Sequence, residues 1–209
     1  MKTTTSWNRV GLGILLAFSA SIATAQSPGD PGWFTRIIDV AGTIDNFERH
    51  NAVLAQGALN QLDESVQEVI NFNGGGFPDD APWPIELGED FVVRGIADVT
   101  IPAGEWAVGW GSDDGGQIQI PGVEFATRFN TAGDFQPDDQ LVFDGNRGYN
   151  TTWGSFSLSE PLETTVNVSM WERGGGDNID VFYINLKEQY DSEAADLTDA
   201  PSDLSLIHI

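Results

Sequence analysis

The stretch VTIPAGEWAVGWGSDDGGQIQIPG, Val99 to Gly122, decides the fold class. Trp106, Val108 and Trp110 alternate with smaller residues, and Ile118 and Ile120 alternate with Gln117 and Gln119. A period of two is the mark of a strand with one buried face. Between the two runs stand Asp113 and Asp114, side by side, flanked by Gly111, Gly115 and Gly116. Adjacent like charges repel and glycine weakens a strand. Two readings of the pair stand open: a loose acidic turn, or two carboxylates aimed at one cation.

The same period recurs on both sides of this stretch. Phe91, Val93, Ala97, Val99 and Ile101 share one parity, with Arg94, Asp98 and Thr100 on the other. Phe156 and Leu158 alternate with serines, and Val166, Val168 and Met170 alternate with Thr165, Asn167 and Ser169. Residues 179–186 are denser in apolar residues, as in a central strand, and Trp33–Val40 is β-prone. The Pro/Gly turn IPAGEW, Ile101–Trp106, reads as a hairpin. Short strands with frequent turn signals and no fixed repeat predict an all-β chain, an antiparallel β-sandwich or a barrel. Asp45–Gln56 carries Phe47, Val53 and Leu54 near helical spacing, with Asn46 or Asp45 as cap, which predicts one short N-terminal helix. Asp63–Phe72 fits helix or strand. NGGGFPDDAPWP (73–84) reads as loop, and 130–150 as an irregular insertion rich in Asp and Gly.

Composition removes several functions. The 209 residues hold 9 basic and 32 acidic side chains, for a formal charge of −23. Nucleic-acid binding needs a cationic footprint, which is missing, and an anionic membrane surface is disfavoured for the same reason. Such an acidic surface attracts cations. There is no cysteine, so disulfides and thiolate chemistry are excluded. Burial of apolar residues, 7 Trp and 12 Phe among them, must hold the core.

The termini read as processing and linker sequence. Lys2 and Arg9, the apolar run Val10–Ile22 and the A-x-A site Ala23-Thr24-Ala25 predict a signal peptide over residues 1–25. The mature part, from Gln26, is then exported, secreted or held at the cell surface or in the periplasm, with no membrane-spanning segment. Residues 26–187 read as the domain and 188–203 as an acidic linker. The final LSLIHI, Leu204–Ile209, is unlike the acidic run before it. It matches translation of CTG TCT CTT ATA CAC ATC, a transposon-end sequencing adapter, so a truncated chain is expected there.

Calcium is a hard cation that takes six to eight oxygens, and adjacent carboxylates supply charge and oxygens together. Neighbouring side chains on an extended strand point apart, so both reach one ion only if the backbone kinks; a cis peptide is one way. A second block, WERGGGDN, Trp171–Asn178, places Glu172 at the end of one strand and three glycines before the next. Glycine loops expose carbonyl oxygens, also good calcium ligands. The pairs Asp79-Asp80 and Asp138-Asp139 lie in Pro-containing loops without strand context and read as solvated turns. His50 and His208 are the only histidines, so a Ser-His-Asp triad or a multi-histidine metal site is not expected. Adjacent carboxylates share one side of a substrate and make a poor acid/base pair, so no enzyme is predicted.

Taken together, the SDDG and ERGGG blocks and the strands around them resemble the protective-antigen-type (PA-fourteen) domain over residues 70–186. This is a β-sandwich found in bacterial toxins, glycosidases and flocculin-type and other adhesins. The resemblance implies a strand, not a helix, before Phe72. It implies calcium held by Asp113 and Asp114 across a cis peptide, by Glu172, and by the carbonyls of Gly174 and Gly176. A glycan, as on a cell-surface polysaccharide, would complete the shell through vicinal hydroxyls. Glu172 stands where the sugar-binding members tend to carry an amide, a change that adds negative charge and favours the cation. Trp110 and the loop residues Arg173, Asp177 and Asn178 are the candidate sugar contacts. The expected function is calcium-dependent carbohydrate binding, with two alternatives: a structural module whose calcium stiffens the loops, or a targeting module of an enzyme lost with the missing end.

Overall fold

The computed structural model describes residues 32–56, 60–74, 81–134 and 136–187. The signal-peptide, acidic-linker and adapter expectations, and the Asp79-Asp80 pair, fall outside them. Among the described residues, no helix is long and apolar enough to cross a membrane.

Two antiparallel sheets face each other. One contains, in spatial order, β2 (Gln61–Gln67), β1 (Trp33–Asp39), β4 (Phe91–Ile101), β10 (Leu162–Glu172), β6 (Gly116–Gln119) and β8 (Gln140–Phe143). The other contains β3 (Asn71–Asn73), β11 (Asn178–Asn185), β5 (Gly104–Asp113), β9 (Asn150–Leu158) and β7 (Thr127–Phe129). The predicted all-β sandwich is thus the observed fold. The alternation in the sequence is its cause: Val93, Val99, Trp106, Val108, Trp110, Ile118, Val168 and Met170 all enter the core between the sheets. Asp98 and Thr100 of β4 are exposed on the other face.

Three local readings change. Residues 63–72, open between helix and strand, fall in β2 and β3, in agreement with the strand the resemblance implied. The 130–150 insertion contains β8, a strand of four residues too short to show a period. The IPAGEW turn is no hairpin, because β4 lies in the six-stranded sheet and β5 in the five-stranded one. Pro102 and Gly104, with φ at +148°, instead turn the chain from one sheet to the other.

The single α-helix of the described residues, α1 (Phe47–Ala55), is capped by Asn46, whose side chain accepts from Arg49 N at 2.8 Å. It covers a second, smaller core formed by Ile38, Val40, Ile44, Val53, Val92 and Trp171. His50 is fully buried there, tilted against Trp171 with ring centroids 5.3 Å apart. Burial holds its pKa down at about 4, so it stays neutral and packs as a ring. The two ends of the main core differ. Near where β4 ends and β5 begins lies a cavity of about 560 Å³ lined by residues such as Trp106, Phe156, Val166 and Tyr183. The acidic residues gather at the opposite end.

Candidate metal centre

Two sheet-crossing corners meet at the acidic end. The chain leaves β5 at Asp113 and enters β6 of the other sheet at Gly116. It leaves β10 at Glu172 and enters β11 at Asn178, crossing in the opposite direction. Because β10 pairs with β6 and β11 pairs with β5, the two corners lie against each other. Backbone bonds join them, from Asp114 N to Trp171 O at 3.1 Å and from Trp171 N to Gly115 O at 3.0 Å. The Asp113-Asp114 peptide bond is cis. Carboxylate oxygens of Asp113, Asp114 and Glu172 all fall within 4.8 Å of one another. The topology therefore brings together the two blocks that stand 58 residues apart in sequence, and this trio can hold a metal ion.

Each carboxylate is oriented. Asp114 Oδ1 accepts from the backbone N–H of Arg147 at 2.8 Å, and Oδ2 from that of Arg173 at 3.0 Å. Glu172 is almost fully buried; its Oε1 accepts from Gly174 N, and its Oε2 is buried with no hydrogen-bond partner. Burial costs a carboxylate its charged form, and neighbouring carboxylates add repulsion. Glu172 is accordingly pushed up to about 8, by burial first and then by Asp114 and Asp113. Asp113 is raised by burial and by Asp114, and Asp114 by burial against the pull of its two backbone donors. Among the described residues no lysine or arginine forms an ion pair with any of the three. Three crowded carboxylates with one orphaned oxygen require a cation or protons. The donor set, all oxygen and all hard, fits calcium and not a soft metal.

The glycines beside the aspartate pair act through their lack of a side chain. Gly111, Gly115 and Gly116 do not have positive φ, so freedom of backbone angle is not their use. They permit close approach: a Cβ at Gly115 would lie 2.5 Å from Gly145 O and against the Trp171 ring. Gly176 is alike, since a Cβ there would fall 2.7 Å from Asp113 Oδ2. Gly174, with φ at +153°, does need glycine's freedom, and it turns the loop just after Glu172.

Of the other sequence candidates, Asn178 faces Asp113 across the β11–β5 ladder, and its Oδ1 is buried without a partner. Asp177 ties the loop to β3 through its carbonyl, which accepts from Gly74 N at 3.0 Å and from Trp83 Nε1 at 3.2 Å. The Arg173 side chain is exposed, and its contribution at the site is its backbone N–H. Trp110 is a correction. Its side chain points between the sheets, is fully buried and donates to Ser112 Oγ at 3.1 Å, so it supports the corner from beneath and cannot touch a ligand. Asp138 and Asp139 form a turn away from the trio, as expected.

Arg147 was missed. Its guanidinium donates to Asp114 O at 3.3 Å, Ser112 Oγ at 3.0 Å and Thr152 Oγ1 at 2.8 Å, and lies 4.2 Å from the Phe143 ring centroid. Burial lowers its pKa to about 10, which keeps it charged at neutral pH. Its guanidinium grips the main chain of the acidic corner while its backbone N–H holds Asp114 Oδ1. Its only sequence signal was a lone Arg within FDGNRGYN, a segment without a period.

No protein-family profile matches the chain, and no curated protein does. Among solved structures, the fold is similar to a PA14 sugar-binding domain from an RTX adhesin. The TM-score is 0.55 at 21% identity, covering 75% of this chain and 91% of that one. It is also similar to the PA14 domain of the antifreeze protein MpAFP, with TM-score 0.54 at 17% identity, covering 88% of this chain and 93% of that one. The described residues form a PA14-like β-sandwich, as the SDDG and ERGGG blocks implied.

Proposed function

We propose that this chain is an exported, non-catalytic module that binds carbohydrate through calcium. The observation that carries the reading is the orphaned, buried Glu172 Oε2 beside Asp113 and Asp114, with no ion pair to any of the three among the described residues. Asp113, Asp114 and Glu172 would hold the ion, with carbonyl oxygens of Gly174 and Gly176. Calcium would supply positive charge and open coordination positions for vicinal hydroxyls of a sugar. The residues of the chain do the rest. Arg147 and the two backbone donors fix Asp114. Gly174 N–H donates to Glu172 Oε1 and orients the side chain, and Oε2, without a partner, is left for the ion. The sugar-binding RTX-adhesin neighbour supports the carbohydrate half of the reading.

The proposed domain spans residues 26–187, behind a signal peptide at 1–25 and before the acidic linker at 188–203. A second reading, a structural module whose calcium only staples the loops, draws on the cross-corner bonds between Asp114, Gly115 and Trp171. A glycan array probed with and without calcium separates the two. Binding that vanishes with chelator supports the lectin. A calcium-stabilised protein that binds no glycan favours the staple.

A further inference from the structure

The metal centre continues into an aromatic surface on the outer face of the five-stranded sheet. In β5, Trp106, Val108 and Trp110 point into the core, so Asp113, Gly111 and Gly109 share the outer face. In β11, Ile179 and Val181 point inward, so Asn178 and Asp180 share that outer face, opposite Asp113 and Gly111. The first row of this face is therefore the metal centre itself. The second row is Gly111 with Asp180, roofed by Tyr149. A Cβ at Gly111 would lie 2.5 Å from Tyr149 Oη, and that hydroxyl donates to Asp180 Oδ1 at 2.7 Å. The third row is Gly109 opposite Trp153 of β9, and Trp153 is stacked on Phe129 of the edge strand β7 with centroids 5.6 Å apart. Successive rows lie about 7 Å apart along the strand.

Tyr149 and Phe129 are 40% and 48% exposed, and only Leu62 joins them as an exposed large hydrophobic among the described residues. Two of three such side chains thus fall on one strip that starts at the carboxylate trio. Tyr149 is held by Asp180, and Phe129 by Trp153, so the rings are preorganised and lose little freedom on binding. Flat, fixed rings with one wet side suit the C–H face of a pyranose better than an aliphatic chain, which would be buried in a groove.

We infer that Tyr149, Trp153 and Phe129 form an extended subsite for further sugar units of a chain whose first unit sits at the ion. The ligand class is then a linear oligosaccharide or polysaccharide and not a lone monosaccharide. This inference rests on the calcium-dependent sugar reading above. The test measures affinity in calcium for glucose, mannose, galactose and fucose, each as free sugar and as a linear tetramer. The expected result is that, for the sugar recognised, the tetramer binds at least about tenfold tighter than the monomer. Phe129→Ala and Trp153→Ala should each reduce that ratio while leaving monomer affinity and the calcium-induced thermal shift in place. Phe129 is exposed at a sheet edge, so its truncation leaves the fold intact. Equal affinity for monomer and tetramer, or a ratio that both variants keep, overturns the aromatic subsite and leaves the metal reading standing. Binding of none of these sugars in either form overturns both the subsite and the carbohydrate reading, and the calcium-induced thermal shift still decides the metal centre.

Discussion

The two ends of the sandwich are built from the same strands and solve opposite problems. At one end β5, β10 and β11 turn between sheets through a corner where buried carboxylates crowd one another and glycines let main chain and rings touch. At the other, the same strands line an apolar cavity of about 560 Å³. The polar end has close packing and unbalanced charge; the apolar end has unfilled space and no charge to balance. Interiors are close-packed where they are built to be rigid. The contrast teaches that rigidity here is concentrated around the acidic corners, as a preorganised ion site needs.

Equal truncations at the two ends give the largest test of that contrast. Trp110→Ala, under the acidic corner, should destabilise by about 3–5 kcal/mol. Trp106→Ala, on the cavity wall, should cost less, because a side chain facing a void has fewer contacts to lose. Chemical denaturation of both variants checks the order, and equal losses would erase the distinction.

The corner itself can be loosened without touching a carboxylate. Arg147→Lys keeps a charge but cannot reach Asp114 O, Ser112 and Thr152 with one planar fork. Calcium affinity, measured by titration calorimetry, should fall by about 10–100-fold, the usual loss when a partner orienting a metal ligand is removed. Unchanged affinity would make Arg147 a packing residue only.

Overpacking sharpens the comparison on a single strand. Val166 lines the cavity and Val168, two residues on and on the same face, is fully buried in the packed core. Val168→Leu should destabilise by about 1–3 kcal/mol, whereas Val166→Leu has space to enter and should be neutral or stabilising. Melting temperatures of the pair read this directly.

The acidic end should also carry a pH dependence that the apolar end lacks. In the metal-free protein Glu172 titrates at about 8 instead of 4.5. Between those values the folded chain holds a proton that the unfolded chain has released, so stability falls as pH rises through the window. Calcium bound at the trio would displace that proton. Its stabilising effect should therefore be larger near pH 8 than near pH 5, which melts at the two pH values would show.

The sequence made one half of this contrast legible and not the other. Asp113, Asp114 and Glu172 could be found because each interrupts or ends a run with period two, where a charge has no packing reason to be. The helix was legible from Phe47, Val53 and Leu54 and from the Asn46 cap. The IPAGEW turn was misread because Pro and Gly license a reversal without saying which sheet the next strand joins, and that choice is made by distant pairing with β9 and β11. Arg147 was hidden because its partners in the acidic corner, Asp114 and Ser112, are 33 and 35 residues away and its own segment has no period. Trp110 was misassigned for a related reason: its parity with Trp106 and Val108 already pointed inward, and proximity to the acidic pair outweighed it.

The central claim is that the carboxylate trio is a calcium site. Thermal unfolding of the mature protein in calcium and in chelator, beside Asp114→Ala and Glu172→Gln, tests it most directly. Free calcium at about one hundred times its Kd stabilises a one-site protein by about 2.7 kcal/mol. For a domain of this size that is a rise of roughly 5–10 °C in Tm. The account predicts that rise in the wild type and its loss in Asp114→Ala, with Glu172→Gln reduced. A wild-type Tm that is the same in calcium and in chelator would contradict it.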